Sequence, residues 1–159
     1  MTLPEVSQLV EASLAGLKLD PAACRGEKPG QWGYTVKDAK VWIDVFNFKE
    51  KPEAYYLQVS SPLCAVPDNK VDAFFQDLLE INFLMYGSWM CKKDNWIYVF
   101  SLREADGLDQ SEINATLERV AFYSTDYFGK LSFKYAGCWV PKTDTNTGGG
   151  GGNVPGPVQ

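Results

Sequence analysis

Apolar residues recur along the chain at two spacings, and together these spacings predict three helices and five strands. Intervals of three and four residues, typical of one buried helix face, occur at 3–19, from about 68 to 83, and after 109. Alternation with a period of two is typical of strands and occurs in five shorter runs. These runs span 32–36, 41–48, 55–61, 88–91 and 96–100.

The elements follow one another in the order α-β-β-β-α-β-β-α. Tight turns join the first three strands and the last two, so neighbouring strands within each group are antiparallel. One sheet with helices packed on it buries these patterns most economically. We therefore predict an α+β fold, a five-stranded antiparallel sheet packed with three helices, in a single domain of residues 1–140.

Short polar motifs predict where two of the helices begin and where one of them ends. Thr2 with Glu5, and Asp109 with Glu112, have the spacing of a capping box, in which each residue's side chain bonds the other's amide. Gly129 suits the position just after the end of the third helix, where a left-handed backbone is common. Residues 131–140 then form a further short strand or a loop.

The central helix is predicted to begin near Asp68, a favourable N-cap residue. Its apolar stripe is about four residues wide, so we expect the helix to be heavily buried. The stripe consists of Val71, Phe74, Phe75, Leu78, Leu79, Asn82 and Phe83.

The two faces of the predicted sheet differ in chemistry. One is aliphatic and must be covered by helices; it carries Val41, Ile43, Val45, Leu57, Val59, Ile97 and Val99. The opposite face is aromatic and too large to be left in water, so a helix of this chain, a second protomer or a client peptide should cover it. This face also carries Phe48. The candidate partner-binding residues are on the same face: Trp42, Phe46, Tyr56, Trp96, Tyr98 and Phe100.

Composition narrows the range of functions. A net charge of −5 argues against nucleic acid as a partner, because phosphates require a field of Lys and Arg. The N-terminus lacks the basic start and apolar run of a signal peptide, and no apolar stretch is long enough to span a membrane, so we expect a cytoplasmic protein. Residues 141–159 are rich in Gly and Pro and are expected to form a flexible tail.

Catalytic and metal chemistry find little support in the sequence. The chain has no histidine, and its four cysteines are far apart with no C-x-x-C motif, so we expect idle thiols, no metal site and no cofactor. Asp44 stands between aromatic residues, where desolvation could raise its pKa, or it points to solvent or caps a neighbour. Asn82 is either a specificity contact or a buried amide bonded to nearby backbone.

The element order and one run of residues resemble the YbjN and type III secretion chaperone-like superfamily. The run is Leu78-Leu79-Glu80-Ile81-Asn82-Phe83, followed by a turn at Gly87, a hairpin, and a helix that begins after Gly107-Leu108-Asp109. The resemblance covers about Thr2 to Leu131. The Gly-rich C-terminal segment and the aromatic content of 14% depart from the family pattern.

The resemblance implies a non-enzymatic, compact cytosolic domain that often forms a dimer. It further implies that chaperone members bind an extended segment of a secreted partner, whereas YbjN-like members are regulators. We therefore expect a non-catalytic protein-binding module, chaperone-like or regulatory, that holds a partner polypeptide on a sheet face or edge, with a homodimer as its form. The alternative is a small-ligand-binding protein or enzyme with a pocket between sheet and helix near Asp44.

Overall fold

A computed structural model describes residues 1–138 and confirms the predicted α+β fold. The element order is the predicted one, with one additional short helix, α2, before the first strand. The helices are α1 (Leu3–Gly16), α2 (Pro21–Cys24), α3 (Val71–Leu84) and α4 (Gln110–Lys134). The strands are β1 (Gln31–Val36), β2 (Ala39–Phe48), β3 (Lys51–Ala65), β4 (Trp89–Lys93) and β5 (Trp96–Glu104).

The five strands form one antiparallel sheet in the order β1-β2-β3-β5-β4. The register places Ile43 of β2 opposite Val59 of β3, and Val59 opposite Ser101 of β5. The three-stranded β1–β2–β3 meander and the β4–β5 hairpin are joined through the pairing of β3 with β5, which leaves β1 and β4 as the edges. The C-terminal segment 141–159 lies outside the described residues.

Both predicted capping boxes contribute to the helix starts. The Glu5 carboxylate accepts from the Thr2 amide at 2.7 Å. At α4 the exchange is mutual, because Asp109 Oδ1 accepts from the Glu112 amide at 2.9 Å and Glu112 Oε2 accepts from the Asp109 amide at 3.1 Å. These bonds satisfy first-turn amides that have no partner within the helix.

Three predicted element ends are wrong. Gly129 does not end α4, which continues to Lys134, so residues 131–134 are helix and not a strand. Asp68 is not the N-cap of α3; that position belongs to Lys70, whose φ of 57° is left-handed. β3 does not end at residue 61 but continues through Pro62 to Ala65. The register with β5 is irregular between Pro62 and Cys64, and a proline, which lacks a main-chain donor, is tolerated at such a site.

The core lies between one face of the sheet and the helices. Ser61 of β3 and Ser124 of α4 form a buried hydroxyl pair at 2.7 Å across this layer. Every residue of the predicted aliphatic face belongs to the core cluster, together with buried residues of the long helices: Val6, Val10 and Leu14 of α1, Phe74 and Leu78 of α3, and Ile113, Leu117 and Val120 of α4. No helix among residues 1–138 is long and apolar enough to cross a membrane.

The expectation that the central helix is heavily buried is wrong. In α3 only Phe74 and Leu78 are buried. Leu79 is 70% exposed and Phe83 89% exposed, although both belong to the predicted stripe. The helix therefore presents an apolar surface that nothing in the described part of the chain covers.

Replacing Leu117 with Ala should destabilise the fold by about 2–5 kcal/mol, because Leu117 is fully buried between α4 and the sheet and its truncation leaves a cavity. Urea unfolding followed by circular dichroism measures the change. Phe133→Ala is the control: its ring is 94% exposed, and its loss should change the free energy of unfolding by less than about 0.5 kcal/mol. Equal effects of the two changes would contradict the described packing.

Candidate partner-binding surface

The predicted aromatic residues all lie on the sheet face opposite the helices, which we call the outer face. Pairing sets their positions: Trp42 of β2 is opposite Ser60 of β3, which is opposite Phe100 of β5. Phe46 and Tyr56 are likewise paired across β2 and β3. None of the six candidate residues belongs to the core cluster under the helices.

The six candidates differ in exposure within the single chain. Trp42, Tyr56, Tyr98 and Phe100 are buried, whereas Phe46 and Trp96 are half-buried. Burial raises the pKa of Tyr98 to about 12, with smaller contributions from Asp94 and Cys91. The solvent-exposed area of the outer face is therefore smaller than the period-two pattern of the sequence alone predicts.

A groove with a volume of about 530 Å³ opens on the outer face beside the β2–β3 turn. Two rings of its wall pack closely, with the Phe46 and Phe48 centroids 5.1 Å apart, and the Phe48 centroid is 4.8 Å from that of the adjoining Tyr56. The groove is on the sheet face, not between sheet and helix. It is lined by Phe46, Asn47, Phe48, Lys49, Glu50, Gln58, Phe100 and Leu102.

Two apolar residues that line the groove, Phe48 and Leu102, are not among the six candidates. Both follow the same alternation as the candidates, Phe48 two positions after Phe46 and Leu102 two positions after Phe100. The sequence already predicts Phe48 on the aromatic face, and following the period-two run of β5 to the end of its strand would have found Leu102 as well.

Asp44 does not point to solvent, as one interpretation of the sequence expected. It is buried on the outer face and accepts from Gln31 Nε2 at 2.8 Å and from Gln58 Nε2 at 3.5 Å. These side-chain amides offset the cost of burying the carboxylate. The residue thus links β1, β2 and β3 across the outer face.

All four cysteines are free thiols, and no cluster of His, Cys, Asp or Glu within residues 1–138 could hold a metal ion. Burial raises the pKa of Cys91 to about 11, so this thiol is not activated by the neighbouring lysines. Hydrogen bonding to Cys138, together with burial, raises the pKa of Cys64.

Asn82 is a half-buried amide bonded to nearby backbone, so it bonds as the second interpretation of its position expected but is less buried. Its Nδ2 donates to the Met90 carbonyl at 3.2 Å, and its Oδ1 accepts from the Met90 amide at 2.6 Å. Met90 belongs to the edge strand β4, so the side chain occupies main-chain groups that would otherwise face a new strand. At the other edge, the Gly26 amide donates to the Gln31 carbonyl at 2.8 Å and covers the start of β1.

Solved structures share this architecture. A chain of the ExsC–ExsE complex superimposes with a TM-score of 0.58 at 12% identity, covering 80% of this chain and 93% of its own length. A chain of the HopA1–SchA chaperone–effector complex gives a TM-score of 0.59 at 8% identity, covering 81% and 98%. The chain shares the fold of these two chains. No family model matches the sequence, and no curated protein is significantly similar to it.

Replacing Asn82 with Leu should destabilise the protein by about 1–3 kcal/mol, because two main-chain groups of β4 lose their partner. Hydrogen exchange at the Met90 amide should accelerate more than exchange elsewhere in β4. Gln76→Leu is the matched control, since Gln76 is exposed on the same helix and bonds only the Glu80 side chain. Unchanged exchange at Met90 would contradict the role assigned to Asn82.

Proposed function

We propose that this protein is a non-catalytic, chaperone-like module that holds an extended segment of a partner protein on the outer face of its sheet. The observation that carries the proposal is the aromatic groove at Phe46 and Phe48, which remains open although helices close the opposite face. A fold shared with a chain of a chaperone–effector complex supports the same function. The YbjN side of the resemblance rests on the sequence alone.

The chemistry of the groove suits reversible binding of a polypeptide. Aromatic rings offer a large apolar area with little side-chain entropy to lose, and they are enriched at protein interfaces. Gln58 adds an amide on the floor, and Lys49 and Glu50 add charges of both signs at the turn. Such a surface favours extended segments with apolar side chains at alternate positions. It selects less strongly for the net charge of the segment.

The face suits the partner better than the edges do. Asn82 occupies the main chain of β4 at Met90, and Gly26 occupies that of β1 at Gln31. Strand addition needs several consecutive unpaired main-chain groups. Binding to the outer face requires no unpaired main-chain groups, because the contacts there are made by side chains.

An enzymatic role is less well supported. The chain has no histidine, and within residues 1–138 the charged side chains that line the groove are Lys49 and Glu50 at the turn. General acid–base chemistry needs titratable groups positioned together with matched pKa values.

The proposed function includes a cytoplasmic location. A chaperone of a secreted partner would bind that partner before it is secreted.

The module acts as a homodimer that associates through α3. Leu79, Phe83 and Tyr86 are strongly exposed along this helix and its C-terminal end, and Trp89 of the adjoining strand is partly exposed. Exposed apolar surface of this extent is unusual on a monomer. A two-fold axis beside α3 would bury the same patch on both protomers and leave both outer faces accessible.

Replacing Phe48 with Ser should weaken binding of extended peptides about tenfold, equivalent to about 1.4 kcal/mol, because the change removes one wall of the groove. Binders are first selected from an array of extended peptides, and their affinities are then measured by fluorescence anisotropy. Leu17→Ser is the matched control: Leu17 and Phe48 are both 39% exposed, and Leu17 lies at the end of α1. An array without binders, or equal loss in both variants, would reject the outer face as the binding surface.

The double variant Leu79→Asp, Phe83→Asp should be monomeric, because like charges on a two-fold interface repel and the apolar contact is lost. Size-exclusion chromatography with light scattering gives the mass of each form. Val36→Asp introduces a single negative charge on an exposed residue of β1, at the opposite edge of the sheet, and should leave the dimer intact. A wild-type protein that is monomeric at all concentrations would refute the dimer.

A further inference from the structure

Two of the four thiols meet inside the core, although they are distant in sequence. Cys64 of β3 and Cys138, which follows α4, are both buried members of the core cluster. Their side chains are joined by a hydrogen bond, and both are free thiols. A disulfide forms only between cysteines that the fold already brings together. This pair therefore meets the first requirement for a disulfide.

An irregularity in β3 directs Cys64 toward the helices and so toward Cys138. Ser61 faces the helices, so strict alternation along the strand would direct Cys64 to the outer face. The register with β5 shifts between Pro62 and Cys64, and Cys64 is then opposite Ile97, a residue of the core cluster. Bulges commonly re-aim a strand side chain in this way.

The segment after α4 brings Cys138 back to the end of β3. The Tyr135 ring packs edge-on against Phe74 at 5.1 Å, and the Tyr135 carbonyl accepts from the Cys138 amide at 3.4 Å. Gly137, with a φ of 85°, supplies the left-handed turn that glycine allows. A Cβ at Gly137 would lie 3.8 Å from the amide nitrogen of Asp68, in the connector that follows β3.

We propose that Cys64 and Cys138 are a modification site, at which a hydroperoxide converts the two thiols into a reversible disulfide. The bond links the segment after α4 covalently to β3. Cys91 is opposite Tyr98 on the outer face, so the sheet separates it from the pair. The reaction requires no partner protein and proceeds whether or not the outer face binds a peptide.

The hydrogen bond between the thiols assigns their roles. Cys64 donates to the sulfur of Cys138, which lowers the pKa of Cys138, whereas the same bond and burial raise the pKa of Cys64. The thiolate is the nucleophilic form of cysteine. Cys138 is therefore the sulfur that attacks the peroxide, and Cys64 is the resolving thiol.

The reaction balances with hydrogen peroxide as the oxidant. The Cys138 sulfur attacks one peroxide oxygen and the O–O bond breaks; the leaving hydroxide takes up the Cys138 proton as water, which leaves a sulfenic acid. The Cys64 sulfur then attacks the sulfenic sulfur, the S–O bond breaks, and hydroxide leaves with the Cys64 proton as a second water. Two thiols and one peroxide thus give one disulfide and two waters.

The disulfide should stabilise more than the two residues that it joins. Tyr135, in the segment that the bond fixes, donates its hydroxyl to Asp77 of α3 at 2.6 Å. A bond between residues so distant in sequence also closes a long loop, and long loops restrict the unfolded chain most. A reductant reopens the bond by thiol exchange, so the gain in stability is reversible.

Peptide mapping of the full natural chain tests the pairing without any substitution. The protein is treated with hydrogen peroxide, denatured, blocked with N-ethylmaleimide and digested without reductant. Mass spectrometry should find peptides joined at Cys64 and Cys138 within one chain, and dithiothreitol should separate them. The pair should be consumed before Cys91, because burial raises the pKa of Cys91 to about 11.

Three results of the mapping would overturn the proposal. One is that both thiols are still blocked by maleimide after Cys91 is fully oxidised. Another is a bond that joins two chains or a different pair of cysteines. The third is conversion of Cys64 or Cys138 to sulfinic acid without a disulfide.

Thermal unfolding provides a second measurement. Peroxide should raise the Tm of the natural chain by at least about 5 °C, and dithiothreitol should reverse the rise. Cys91→Ala is the matched control and should show the same rise, whereas Cys64→Ala and Cys138→Ala should show none. The two core variants remove the same bond from different elements, so either one that folds completes the comparison. A rise in a folded core variant, or a fall in the Tm of the natural chain, would overturn the proposal.

Discussion

The structure depends on the burial of one face of β2, β3 and β5 under α1 and α4. Side chains alternate along a strand, so placing Ile43, Val59 and Val99 against the helices directs Trp42, Ser60 and Phe100 to the other side. A register shift of one residue would exchange the two sets and expose the aliphatic one to water. The aromatic outer face is therefore fixed by the same constraint that fixes the core.

Much of the fold could be predicted from local patterns. Alternation and helical spacing gave the element order, and the Asp109–Glu112 pair gave the start of α4, because both signals act within a few residues. Gly129 misled because its helix penalty of about 1 kcal/mol is smaller than the gain from burying Leu131 and Tyr135 beyond it. The exposure of α3 could not be foreseen, since an apolar stripe does not specify which molecule covers it.

The sequence predicted which side of the sheet the candidate residues lie on, but not how exposed each of them is. Alternation assigns a residue to a side of the sheet, and all six aromatic candidates lie on the expected side. It does not say what lies above them, so the burial of Tyr98 and the opening at Phe48 emerge only from the three-dimensional arrangement. Asp44 illustrates the same point, because its amide partners Gln31 and Gln58 come from neighbouring strands distant in sequence.

The Asn82 side chain reproduces the donor and acceptor of a peptide group and therefore acts as a one-residue surrogate for a sixth strand. Unfinished sheet borders recruit further chains and seed cross-β stacking. Here the Asn82 side chain bonds the outward main-chain groups of β4 at Met90, so no additional strand is needed to satisfy them. When unfolded polypeptide or other copies of the domain are present at high concentration, the β4 edge therefore offers no unpaired main-chain groups at Met90 on which a fibril could grow.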